Sequence, residues 1–154
     1  MQSLADILAA EADAVSAFCA LLREEQECLK IGKAEALPEL IARKNGVLGS
    51  LAPLSDRRNA LLAGAGLPAD RAGMERWLTD RPQDERTQHA WKSLQLHAAE
   101  AKELNRVNGE LIRMHLASNA RALEALQSGN AGQDLYGANG QSSAMTGSRI
   151  IDSA

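Results

Sequence analysis

His89, His97 and His115, with Cys19 and Cys28, are the side chains of this 154-residue chain best suited to metal, nucleophilic or proton-transfer chemistry. Their spacing supports none of these. No histidine stands in an HExxH motif or beside a cysteine pair, and both cysteines lie far upstream of all three histidines. His97 with Glu100 and Glu103 reads as a solvated helix face. The carboxylates alternate with bases, as they do on an exposed helix surface. A phosphate-binding glycine loop or a nucleophile elbow needs a preceding strand, and no strand pattern is visible. The sequence therefore predicts no catalytic set, no metal ligands and no cofactor.

The cysteines are nine residues apart in one helical pattern. At roughly 100° and 1.5 Å per residue they point to opposite sides and sit about 13 Å apart. They cannot bridge each other within that helix and read as small buried side chains.

Recognition chemistry is better represented. Asn105, Asn108, Ile112, His115 and Asn119 recur at steps of three and four and form a polar ridge on one helix. Two readings stay open. The ridge is a solvated face, or contains one buried Asn that fixes helix register; or it is a hydrogen-bonding strip beside an apolar groove that receives a partner helix. Downstream, Leu135-Tyr136 stands alone in a glycine-rich stretch. It reads either as a short docking motif, since tyrosine offers a large apolar face with few rotors to freeze, or as part of an ordinary disordered end.

These residues must be carried by helices. Aromatics make up only 3% of the chain, so the core must be built from Leu, Ala, Ile and Val, which suits helix-on-helix packing. Ser3 and Asp6 form a capping-box pattern. Leu4, Leu8, Glu11, Val15, Phe18, Leu22, Glu25 and Leu29 then follow a heptad seam that should stop at Gly32. A second helix is predicted from Pro38, with seam positions Leu37, Ile41, Lys44, Leu48, Leu51, Ser55, Arg58 and Leu62. Pro53 lies inside it, below Gly46, Gly49 and Ser50, so a bend is expected near residues 49–53. Gly64-Ala65-Gly66 ends it. A short helix should occupy about 69–78, with a turn over 79–82, and a long one should run from about Gln83 to Ser128. The fold class predicted is all-α: an elongated antiparallel bundle of three long helices plus a short connecting one over residues 1–128, with a flexible Gly-rich tail over 129–154. That tail holds 5 of the 12 glycines and cannot bury enough apolar surface to offset its ordering entropy.

Charge supports this order. Residues 1–29 hold six acids and one base, and residues 30–63 six bases and three acids. Acidic beside basic favours antiparallel pairing of the first two helices, although exposed pairs contribute only about 0–1 kcal/mol each. The net charge of -3 leaves no basic surplus for nucleic acid. No signal-peptide pattern opens the chain, and no apolar run is long enough for membrane insertion. A cytoplasmic protein is expected.

Residues 104–112, LNRVNGELI, resemble the LN-x-x-NG-x-LI signature of the FlgN-type flagellar export chaperones. The spacing to Leu135-Tyr136-Gly137 and the closing Ile150-Ile151-Asp152-Ser153-Ala154 is also similar, and Glu24, Leu37, Leu40, Lys44, Leu48, Leu51, Arg58 and Leu61-Leu62 follow the family's looser upstream pattern. The resemblance implies a cytoplasmic chaperone, not an enzyme, serving bacterial flagellar type III secretion. Its implied clients are the C-terminal helices of hook–filament junction proteins, which it keeps unassembled and delivers to the export gate; the export ATPase and a homo-oligomeric state are left open. Client binding then falls on Asn105, Asn108, Leu111, Ile112, His115, Asn119, Leu123, Leu126 and Leu135, and export-gate docking on Tyr136. Two other readings compete: a structural coiled-coil adaptor, and a histidine phosphotransfer bundle. The second lacks the Lys-Gly usually found just after the phosphorylated histidine, since Ala98-Ala99 follows His97.

Overall fold

A computed structural model describes the backbone over residues 1–137 and the side chains over residues 1–128. The chain divides into two units, Met1–Leu111 and Ile112–Ala154.

The first unit begins with α1 (Leu4–Ile31). Ser3 Oγ accepts from the Asp6 amide at 3.1 Å, and the Asp6 carboxylate accepts from the Ser3 amide at 3.1 Å. Two of the orphan amides of the first turn are satisfied in this way. Gly32 adopts φ 72°, a left-handed conformation that ends the helix with little steric cost. A single 3-10 turn at Ala34–Ala36 leads into α2 (Leu37–Gly64). Pro38 sits in its first turn, where a missing N–H costs nothing. The helix runs unbroken through Pro53. Gly49 and Pro53 are both exposed, so the carbonyl freed by the proline ring lies where water can satisfy it.

Asp70 caps α3 (Arg71–Asp80) by accepting from the Gly73 amide at 2.9 Å. This cap starts the helix two residues later than hydrophobic pattern alone predicts, and the helix also ends two residues later, at Asp80. Asp84 plays the same part for α4 (Glu85–Gly137), accepting from the Thr87 amide at 3.1 Å and the Thr87 hydroxyl at 2.6 Å. These bonds hold the Asp84 carboxyl below the usual carboxylate range, the Thr87 hydroxyl contributing most.

The helical backbone of α4 continues past Ser128 to Gly137, further than composition suggests. Glycine lowers helix propensity by about 1 kcal/mol but keeps its amide donor, and no proline interrupts the stretch. Leu135 and Tyr136 therefore lie on helical backbone. Their side chains, and residues 138–154 with Met145 and Ile150-Ile151, lie outside the described residues.

Polar contacts give the helix directions. Glu11, early in α1, meets Ser55 and Arg58 late in α2, while Glu24 and Glu25, late in α1, meet Arg43 and Lys44 early in α2, so the two are antiparallel. Asp6–Arg86, Cys19–His97 and Leu22–Asn108 ascend together, so α1 and the first part of α4 run parallel. The unit is an up-down-up bundle with α3 in the second connection, as predicted. One end is closed by Leu4, Leu8 and Ala12 of α1, Leu62 of α2, Met74 of α3, and Ala90 and Leu94 of α4, with Trp77 and Trp91 packed around them. The other end buries Leu21, Leu22, Leu29 and Leu40. Cys19 is buried and donates weakly to the His97 carbonyl at 3.4 Å; neither it nor Cys28 is in a disulfide. No strand occurs among the described residues, and no helix there is long and apolar enough to cross a membrane.

Gly73 is needed for a close approach. A Cβ there would sit 1.8 Å from the Pro68 carbonyl oxygen, whereas one at Gly46 would meet nothing within 4 Å. Gly73→Ala should destabilise the fold by about 1–3 kcal/mol through overpacking. Gly46→Ala, in an exposed helix interior, should stabilise it by about 0.5–1 kcal/mol. Urea unfolding of both variants checks the pair.

Candidate functional site

Two polar residues interrupt the apolar seam of α1, and both are buried: Glu11 is 2% exposed and Glu25 5%. Each meets a polar residue at a seam position of α2. Glu25 receives Lys44 Nζ at 3.2 and 3.1 Å on its two oxygens. Asn108 of α4 donates from the same Nδ2 to Glu25 Oε1 at 2.8 Å and to the Leu22 carbonyl at 2.9 Å. The Lys44 ammonium also lies 5.9 Å from the Phe18 ring centroid. One carboxylate thus ties three helices together.

The second node lies further down the bundle. Glu11 Oε1 accepts from Ser55 Oγ at 2.9 Å and lies 3.4 Å from Arg58 Nη1. Its Oε2 and Arg58 Nε have no protein partner. Burial pushes the Glu11 carboxyl above the usual range, and the pull of Arg58 and Ser55 only partly opposes this. A chargeable pair half-satisfied in a core is weak support for stability.

Asn108 is 1% exposed, so it does not share the solvated face that one of the two sequence readings gave the ridge. Its amide is held inside the bundle, as in the reading of a single buried Asn that fixes register. Asn105 is exposed, and Leu111 and His115 are half-buried. The remaining predicted residues belong to the second unit. Ile112 is 41% exposed, Leu123 60% and Leu126 64%; Asn119 is also exposed.

Leu116, 62% exposed, joins this group although the sequence reading left it out of the site. At 100° per residue, Ile112, Leu116, Asn119, Leu123 and Leu126 fall within about 80° of arc. They form a stripe at steps of four, three, four and three. Four large apolar side chains on one exposed helix stripe are more than scattered surface residues. Charged residues decorate other positions: Arg106 and Glu103 pair at 2.7 Å, which lowers the Glu103 carboxyl.

The histidines and cysteines are not brought together, and no group of three or more metal-binding side chains occurs among the described residues. His97 lies 3.8 Å from Glu100, which also pairs with Arg23.

Fold and face together define a class: a helical bundle whose last helix carries an uncovered apolar stripe. The family follows from the sequence. Residues 1–144 match the family model described as FlgN protein, and the chain belongs to the FlgN family of flagellar export chaperones. Chaperones of this family bind flagellar substrate proteins. Neither the curated proteins nor the solved structures contained a match.

The two buried carboxylates respond differently to change. Lys44→Met should cost about 3–5 kcal/mol, because it leaves the Glu25 charge buried with only Asn108 beside it. Replacing Glu25 and Lys44 together by Leu and Met should cost much less, and the double-mutant cycle reads the coupling. For Glu11 the sign is set by its raised pKa. The folded state holds the proton more tightly than the unfolded chain, so the Glu11 contribution to stability falls as pH rises from the ordinary glutamate value of about 4.5 through the higher folded value. Comparing the urea stability of Glu11→Gln with the parent at stepwise pH should show the difference moving in favour of Gln as pH rises across that window.

Proposed function

We propose that this protein is a cytoplasmic chaperone for hook–filament junction proteins, and that it captures their C-terminal helices on the stripe of α4. The observation that carries the reading is the exposed row Ile112, Leu116, Leu123 and Leu126 in a member of the FlgN family. A client helix that assembles with its neighbours in the finished flagellum exposes an apolar face while alone. Laying that face along the stripe removes both from water, at about 25 cal/mol per Å² of apolar surface. Leu111 and His115 border the stripe, while Asn105 and Asn119 offer amides that fix the client's register. Asn108 acts from inside, by seating α4 on α1 and α2.

Residues 129–154 add a second contact. Leu135 extends the client surface, and Tyr136 docks the loaded chaperone on the export gate. The export ATPase is a further partner on this reading. The chemistry required is binding and release, with no covalent step.

The test uses a purified hook–filament junction protein and the full chain. Leu123→Asp with Leu126→Asp should weaken binding at least about tenfold, roughly 1.4 kcal/mol, without loss of helical circular dichroism. A chain ending at Gln127 should bind more weakly than the full chain. Tyr136→Ala should reduce export-gate docking more than client binding. Client affinity unchanged by the double Asp variant would remove the stripe from client recognition. If solution mass showed an obligate oligomer that client does not dissociate, the coiled-coil adaptor would be the better reading.

A further inference from the structure

The seam of α2 is not fully used. Ile41 is 50% exposed and Leu48 48%, although both stand at positions whose heptad neighbours Lys44 and Ser55 are occupied by contacts to α1. They form one wall of an open groove of about 520 Å³. Phe18 lies at its base, and Ala98, Ala101 and Asn105 of α4 form the other wall. Small side chains on the α4 side leave room for another backbone to come close. All these residues belong to the Met1–Leu111 unit, so the groove is separate from the stripe assigned to the client.

Its charge has one sign. Lys102 stands on the rim and is shared with a neighbouring depression that contains Lys92, Arg71 and Leu96, the last 66% exposed. No carboxylate lines either depression. By contrast, the α1–α4 depression includes Asp13 and Glu85, and the one on the other side of α2 includes Glu24. Lys44 is committed to Glu25 and Arg71 to Glu75. Lys92 and Lys102 enter no ion pair among the described residues. An apolar floor bordered by one unneutralised lysine, Lys102, with a second, Lys92, in the adjoining depression, complements a helix that is apolar on one face and acidic on its flanks.

We propose that the α2–α4 groove is a second docking site, and that its occupant is an acidic amphipathic helix of another protein. Ile41, Leu48 and Phe18 take the apolar face, and Lys102 and Lys92 pair with the flanking carboxylates. Two separate surfaces would let the protein hold its client and contact a second helical partner at once.

The probe is a synthetic peptide of about 18 residues, with leucines at helical spacing and glutamates elsewhere. Two controls accompany it: the same peptide with lysines for glutamates, and a scrambled version of the acidic one. Binding to the full chain is read by fluorescence anisotropy at low and moderate salt. The acidic peptide should bind, and its affinity should fall between about 50 and 200 mM salt. Leu48→Asp and Lys102→Glu should each weaken it at least about tenfold, with helical circular dichroism unchanged. Leu123→Asp with Leu126→Asp should leave it intact, which separates this site from the client stripe. Absence of binding at ~1 mM peptide, far weaker than a functional contact requires, would overturn the proposal. So would equal binding of the lysine or scrambled peptide, or affinity that survives both groove variants. A dimer in sedimentation that Leu48→Asp dissociates would overturn it too, by giving the groove to a second copy.

Discussion

The bundle depends on how one buried carboxylate is neutralised. Glu25 comes from α1, Lys44 from α2 and Asn108 from α4, with the Glu25 oxygens 3.1–3.2 Å from Lys44 Nζ and 2.8 Å from the Asn108 amide. Leaving such a charge unpaired costs several kcal/mol, so alternative registers that separate the three residues are strongly disfavoured. An apolar seam built mostly from Leu and Ala would by itself tolerate sliding, because most positions along it are equivalent. The Glu25 node supplies what the seam lacks: a single alignment of all three helices.

That alignment rests on one side chain of α4. Asn108 fixes which side of α4 faces α1 within the first unit, by its bonds to the Leu22 carbonyl and Glu25. LNRVNGELI places the anchoring amide and the first stripe residue, Ile112, four positions apart. In this chain the Asn of that stretch is buried at 1% exposure, and its last Ile is 41% exposed.

Much of the fold was legible in the sequence because the relevant signals are local. The Ser3 capping box, Gly32, Pro38 and Gly66 mark helix ends by backbone chemistry, and each falls within a residue or two of the observed boundary. The charge contrast between the first two segments read correctly as antiparallel pairing. The role of Asn108 was not legible, since an Asn on a polar ridge and an Asn in a core share the same spacing. A signal was nonetheless present. Glu11 and Glu25 are fourteen residues apart, as are Lys44 and Arg58. Two acids two heptads apart on one seam, facing two bases two heptads apart on an antiparallel one, specify their own pairing. The extension of α4 to Gly137 was hidden for a different reason: glycine content lowers helix propensity without forbidding helix.

The central claim is that the exposed apolar stripe of α4 beyond Leu111 receives the client. Hydrogen exchange of the full chain with and without a purified hook–filament junction protein tests it most directly. Amides of residues 112–128 and of the segment beyond them should gain protection on adding client, while those of α1 and α2 change little. Protection confined to α1 and α2, with residues 112–154 unaltered, would contradict it.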